Sequence, residues 1–208
     1  MKPLEILQTE TLYRGFLGLK RYRLRHRLFA GGMSPELVRE RVESYQAASV
    51  LLYDPDLDQV VLIEQFRIGA LEAGEQAWLL EVIGGIIDRD ETAEVVARRE
   101  ALEEAGCEIR ELLPICRFLV SPGYTSEQIA LFCGRVDASG AGGIHGLADE
   151  GEDIRVLVLP AETALAELYG GRADSTSIVI ALQWLAMNRQ RLRAEWCGEE
   201  GAPPESSS

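Results

Sequence analysis

The stretch GGIIDRDETAEVVARREALEEAGC, residues 84–107, decides how this chain is read. Its second half is helical from Thr92 to Ala105: Thr92 stands where an N-cap belongs and Gly106 where a helix stops. On that helix Glu100, Glu103 and Glu104 fall at i, i+3 and i+4, so their three carboxylates share one face. Like charges at this spacing repel by roughly 0.2–0.5 kcal/mol per pair. They also crowd toward the C-terminal end, where the helix dipole disfavours anions. No lysine is scattered among them to relieve the conflict. A hard, oxygen-ligated divalent cation removes it, keeps several waters and bridges to phosphates. Spacing alone fits an acidic solvent-facing surface equally well. The glycine-rich loop at Gly84-Gly85, leading into the helix, turns the balance toward a site.

Outward from this segment, ASVLLY and QVVLIEQF flank the turn-forming cluster DPDLD and predict a β-hairpin. WLLEVI (78–83) predicts one further buried strand, and LPICRFLV with QIALFCGRV a second pair of strands around SPGYTSE. Residues 138–152, rich in glycine and acid, predict a mobile loop. IRVLVLP predicts a strand, and PAETALAELYG and SIVIALQWLAMNRQRL two helices, the second amphipathic. In front of all this, residues 11–29 alternate apolar and basic side chains and predict strands with one wet face. Strands mixed with helices and few βαβ units suggest an α+β class or an α/β/α sandwich rather than a doubly wound sheet. The expected boundaries are 1–45 for an N-terminal β-rich region, 46–197 for the main domain and 198–208 for a polar, disordered tail.

With 208 residues the chain buries a sizeable core without disulfide or metal staples. Its net charge of −13 disfavours a binder of nucleic acid or of anionic membrane surfaces. No apolar run approaches a membrane span, and the first residues lack a signal-peptide pattern, so a cytoplasmic protein is expected. Cys107, Cys116, Cys133 and Cys197 show no C-x-x-C spacing; Cys116 and Cys133, inside apolar stretches, are expected to be buried thiols. His26 and His145 are too few for a triad or a zinc cage, so any catalysis rests on carboxylates.

Residues 85–107 read G-x5-E-x7-R-E-A-L-E-E-A-G-C and resemble the Nudix box, with every fixed position matched and its two apolar positions filled by the small Ala101 and Cys107. Pro122, fifteen positions beyond Cys107, resembles the bacterial ADP-ribose pyrophosphatase branch of that superfamily. TLYRGF (11–16), IEQFR (63–67), GGIHGLADEGEDI (142–154) and SIVIALQWL (177–185) extend the similarity over almost the whole chain.

The resemblance implies Mg²⁺-dependent hydrolysis of the ADP-ribose pyrophosphate bond to AMP and ribose 5-phosphate, with two or three Mg²⁺ (or Mn²⁺) ions per site. It assigns metal binding to Glu100, Glu104, Glu152 and the Gly84 carbonyl, with Glu103 less constant, and pairs Arg99 with Glu91. Glu150 is the implied general base. Arg67 goes to the pyrophosphate, and Phe16, Leu17, Arg39 and Glu40 to the adenosine side, reaching from the partner of a homodimer. Ser121, Pro122, Gly123 and Glu127 go to the terminal ribose. Ser44 departs from the basic residue that relatives tend to hold near that position. Two other readings stay open: hydrolysis of another nucleoside diphosphate sugar such as GDP-mannose, and an ADP-ribose sensor that does not cleave, which the intact box glutamates disfavour.

Overall fold

The computed structural model describes residues 3–71, 77–88, 90–147 and 151–198. By internal contacts they form two units, which are taken separately. The first comprises Met1–Ala47 with Arg117–Ile129; the second Ala48–Cys116 with Ala130–Ser208.

In the first unit β1 (Leu4–Arg14), β2 (Gly18–His26) and β3 (Leu37–Glu43) form an antiparallel sheet in that order. The basic stripe of β2 faces glutamates on both neighbours. Arg21 lies opposite Glu10 and Glu40 in register and bonds Glu40 at 2.8 Å, Lys20 meets Glu43 at 2.9 Å, and Arg23 pairs with Glu36. Arg41 closes on the same Glu43 at 2.7 Å, and this hydrogen bond, with that of Lys20, lowers the Glu43 carboxyl to about 2. The stripe is therefore largely neutralised across strands. The expectation of one wet face needs correction. Along β1 both faces are open, with Leu4 60%, Ile6 57%, Leu7 47% and Tyr13 64% exposed. Two register shifts, between Ile6 and Gln8 and between Thr11 and Tyr13, break the strict alternation on which that expectation rests. Residues 121–127 are stitched to the end of β3: Val42 N donates to Tyr124 O at 2.7 Å, and Ser126 N to Val42 O at 3.1 Å.

The second unit is built on a sheet of order β10 (Gly143–His145), β11 (Ile154–Pro160), β5 (Gln59–Phe66), β4 (Gln46–Asp54), β9 (Gln128–Arg135) and β8 (Glu111–Leu119). The predicted hairpin is β4 (Gln46–Asp54) and β5 (Gln59–Phe66), turned at Asp54–Asp58. Asp54 holds the turn by accepting from Asp56 N and Leu57 N at 2.9 and 3.0 Å. Alternate residues of β4 face opposite ways. Ala48, Val50 and Leu52 pack with Ala93, Val96, Ala97, Ala101 and Ala105 of α1 (Ala93–Ala105), whereas Tyr53 meets Trp196 of α3 (Thr176–Cys197) with ring centroids 6.5 Å apart. Helices thus lie on both faces, which is the α/β/α sandwich. The buried Ile178, Ala181, Leu182, Leu185, Leu192 and Trp196 form a single stripe on α3. The helix α2 (Ala161–Gly170) follows β11 (Ile154–Pro160). The Ala101 and Cys107 positions are fully packed, at 0% and 3% exposure.

Three further expectations are corrected. WLLEVI is not one strand: β6 (Trp78–Glu81) pairs with β5, and after Val82 β7 (Ile83–Ile86) pairs with β4. β4 and β5 pair with each other only over Leu52–Asp54 against Gln59–Val61, and β6 and β7 take up the strand edges beyond that point. The glycine-rich loop is partly ordered, because β10 (Gly143–His145) pairs with Val156–Ile154 of β11. Cys116 is exposed, since it sits on β8 (Glu111–Leu119), the last strand of the sheet; Cys133 on β9 (Gln128–Arg135) is buried. All four thiols are free. The tail from 199 lies outside the described residues.

Candidate active site

The helix α1 is capped at both ends as its sequence requires. Val95 N donates to Thr92 Oγ1 at 3.3 Å, and Gly106 adopts φ +64° with Cys107 N bonded to Ala101 O at 3.0 Å, a closing turn that favours glycine. Between these caps the helix runs alongside β7, whose two central residues are Gly84 and Gly85. Their lack of side chains leaves room for a helix carboxylate at Gly85 and for β4 at Gly84. A Cβ on Gly85 would stand 1.8 Å from Glu100 Oε1, and one on Gly84 would meet Ser49 Oγ at 2.8 Å and Ala48 O at 2.9 Å. The Glu100 carboxylate fills the space a side chain at 85 would need. Glu104 reaches the same strand and accepts from Gly84 N at 3.1 Å.

Arg99 shares its charge among three carboxylates: Glu91 Oε1 at 3.3 Å, Glu100 Oε1 at 2.9 Å and Glu103 Oε2 at 2.8 Å. The repulsion expected from the glutamate spacing is thus relieved for Glu100 and Glu103 by a cation of the same helix. Among the described residues Glu104 receives no such partner. It is 3% exposed, and burial, reinforced by the negative Glu100 and Glu152, pushes its carboxyl up to about 8 against the opposing Gly84 hydrogen bond and the Arg67 charge. Burial also raises Glu100, with Glu103 and Glu152 adding to it and Arg99 opposing. These are carboxyl oxygens held out of water, whose charged form is disfavoured until a cation balances it.

Among the described residues no three His, Cys, Asp or Glu side chains form a ready-made metal cage. The donors on offer are an open set: Glu100 and Glu104, with Glu152 in electrostatic reach of both. An open oxygen set fits Mg²⁺, which retains waters and takes substrate phosphates rather than demanding an all-protein cage. Glu152 is held at the neck of its loop: its N donates to Leu147 O at 3.1 Å and its Oε2 accepts from Leu147 N at 3.3 Å. Gly146, at φ +97°, allows the turn and leaves room for the Glu152 backbone. Glu150, the expected base, lies outside the described residues.

Arg67 follows the last residue of β5. Its N–H donates to Ala77 O at 2.7 Å and its Nε to Glu81 Oε2 at 2.7 Å. The sequence reading did not single out Glu81, although an acid inside the apolar run WLLEVI is a visible signal.

The first unit holds the other substrate candidates. Phe16 is no core residue: it is 76% exposed, its ring 5.6 Å from that of Tyr45, whose hydroxyl donates to Phe16 O at 3.2 Å. Leu17 is exposed beside it. Arg39 is exposed on β3 and bonds Val38 O, whereas Glu40 is engaged by Arg21. Ser121, Pro122 and Gly123 form a turn closed by Tyr124 N and Thr125 N on Ser121 O at 3.1 and 3.0 Å, and Glu127 N caps Thr125 Oγ1 at 3.2 Å. Ser44, the departure from the expected basic residue, donates its N–H to Ser126 Oγ at 3.0 Å, so its place in this turn is a backbone one.

The chain is 53% identical over 192 residues to the ADP-ribose pyrophosphatase of Escherichia coli K12, covering 92% of each protein. It is 45% identical over 198 residues to the ADP-ribose pyrophosphatase of Haemophilus influenzae, covering 94% of this chain and 91% of that one. The GDP-mannose pyrophosphatase of Shigella flexneri is 35% identical over 161 residues, covering 74% of this chain and 81% of the relative. A solved structure described as an ADP compounds hydrolase superposes with a TM-score of 0.67 at 19% identity, over 89% of this chain and 95% of that one, which speaks for the fold. The NUDIX domain family model matches residues 44–176, spanning the capped helix, its glycine pair and the loop strand, and the chain belongs to that family.

Proposed function

We propose that this chain is a Mg²⁺-dependent ADP-ribose diphosphatase that splits the pyrophosphate bond to give AMP and ribose 5-phosphate. The observation that carries the reading is the buried, undercompensated Glu104 beside Glu100 on the glycine pair of β7. The substrate follows from the two ADP-ribose pyrophosphatases, which match over nine-tenths of the chain, where the GDP-mannose pyrophosphatase matches at lower identity over less of it.

Glu100, Glu104, Glu152 and the Gly84 carbonyl hold two or three ions, with Mn²⁺ as the alternative. When bound, these ions neutralise phosphoryl oxygens and supply a reactive water. Arg67 grips the pyrophosphate and Glu150 accepts the proton of the attacking water. Phe16 and Leu17 flank the adenine, Arg39 and Glu40 contact the adenosine side, and Ser121, Pro122, Gly123 and Glu127 the terminal ribose. Residues 1–45 serve a homodimer, a role supported by the apolar side chains β1 leaves open on both faces. A cytoplasmic location and the absence of a nucleic-acid or membrane partner belong to the same reading. In support, Lys20, Arg21 and Arg23 of β2 are engaged with glutamates, and among the described residues no helix is long and apolar enough to cross a membrane.

The test is a panel of ADP-ribose, GDP-mannose and other nucleoside diphosphate sugars, each with Mg²⁺ and with EDTA, read by chromatography. The reading expects ADP-ribose to give the highest kcat/KM, with AMP and ribose 5-phosphate as products and no turnover in EDTA. Preference for GDP-mannose would replace it with the second reading.

A further inference from the structure

We propose that Glu81 is a positioning residue for Arg67, fixing the guanidinium relative to the strand that carries Gly84 and Gly85. The proposal rests on the reading of Arg67 as the pyrophosphate contact and names what makes that contact ordered. Arg67 lies just beyond the end of β5, half exposed, where a long side chain would otherwise sample many rotamers and lose them on binding. Two bonds prevent this. The Arg67 N–H extends the β5–β6 ladder onto Ala77 O, one rung past the Phe66–Trp78 pair, whose rings meet edge-on at 5.5 Å. The side chain is then caught through Nε by Glu81 Oε2 at 2.7 Å. Among the described residues Nη1 and Nη2 have no acceptor, and their paired N–H groups suit an anion such as a phosphate.

Glu81 is well placed for this task. Its side chain is only 14% exposed, and its backbone is held opposite Ile63 in the β5–β6 register. It stands three residues before Gly84 on a continuous chain that passes from β6 into β7. A negative residue beside a pyrophosphate site repels the substrate, so its benefit is orientation rather than attraction. That distinguishes its two substitutions. Glu81→Gln keeps an acceptor and drops the charge; Glu81→Ala drops both.

The experiment is a double-mutant cycle on ADP-ribose hydrolysis with E81A, E81Q, R67A and R67A/E81A, each checked for an unchanged circular dichroism spectrum and an unchanged Mg²⁺-dependent rise in Tm. Glu81→Ala is expected to raise KM about tenfold, the scale of a lost oriented contact, with kcat within about threefold of the parent. Glu81→Gln should keep KM within about twofold, because the acceptor remains. In the R67A background Glu81→Ala should add less than about twofold, since two residues acting as one unit do not add. A normal KM in E81A while R67A is impaired would overturn the role of Glu81 alone. Independent, multiplying effects would also overturn it. A normal KM in R67A would remove the Arg67 reading and the proposal with it.

Discussion

At Gly85 a single missing side chain decides where a carboxylate can lie. Glu100 Oε1 sits where a Cβ on residue 85 would be, 1.8 Å away, and neither Gly84 nor Gly85 has the positive φ that would otherwise call for glycine. Close approach is the reason for glycine here. Gly85→Ala is therefore expected to push Glu100 off the strand, lowering kcat by roughly tenfold or more, as small displacements of site groups do. It should also weaken the rise in Tm that Mg²⁺ produces, measured by thermal unfolding in EDTA and in millimolar Mg²⁺. Much of this was legible beforehand: residue spacing alone placed three glutamates on one helix face. The pairing of Arg99 with Glu91 was implied by the resemblance, whereas its simultaneous bonds to Glu100 and Glu103 were not read. The glutamates that neutralise Lys20, Arg21 and Arg23 were also hidden, since cross-strand partners are distant in sequence.

The elements that announce themselves through caps and turns were the ones read correctly. Thr92 and Gly106 bound α1, and DPDLD makes the β4–β5 turn, each by a local hydrogen-bond or φ requirement. The break between β6 and β7 has no local marker, because apolar periodicity reports burial and not which strand is the partner. The same turn carries a testable latch. Asp58, in the left-handed region at φ +56°, accepts from Tyr53 Oη and Arg189 Nε, each at 2.7 Å, and so ties α3 to the hairpin. The Arg189 hydrogen bond holds its carboxyl below the ordinary aspartate value. A carboxyl depressed in the folded state stabilises above the unfolded value, and that stabilisation is lost as pH falls through the folded one. Asp58→Asn, which tolerates this φ, should cost about 1.5–3 kcal/mol at neutral pH, the range for hydrogen bonds to charged groups. It should also flatten the loss of stability on the acid side, measured by urea unfolding from pH 7 to pH 2. An acid limb as steep as in the parent would show that Asp58 is not the titrating latch.

For the whole molecule, the candidate residues divide between the two units. Arg67, Gly84, Glu100, Glu104 and Glu152 belong to the second, and Phe16, Leu17, Arg39, Glu40, Ser121, Pro122, Gly123 and Glu127 to the first. A homodimer of about twice 23 kDa is expected by sedimentation, the commonest symmetry being twofold. If residues 1–45 of one protomer serve the metal centre of its partner, mixing inactive Arg39→Ala with inactive Glu150→Gln restores part of the activity after subunit exchange. A monomer, or exchange without rescue, would contradict a shared site.

The measurement that tests the central claim most directly is ADP-ribose turnover by Glu104→Gln, alongside its Tm in EDTA and in Mg²⁺. The buried carboxylate carries charge that a divalent ion must balance, so neutralising it should cost at least about 100-fold in kcat, the scale of lost electrostatic stabilisation. In EDTA above about pH 8, where the Glu104 carboxyl ionises without a cation, the variant should be at least as stable as the parent, because a neutral amide is easier to bury than an unpaired charge, and its response to Mg²⁺ should shrink. A folded Glu104→Gln protein that turns over ADP-ribose at the parent rate, with an unchanged Mg²⁺ response, would contradict the assignment of the α1 carboxylates as the metal centre.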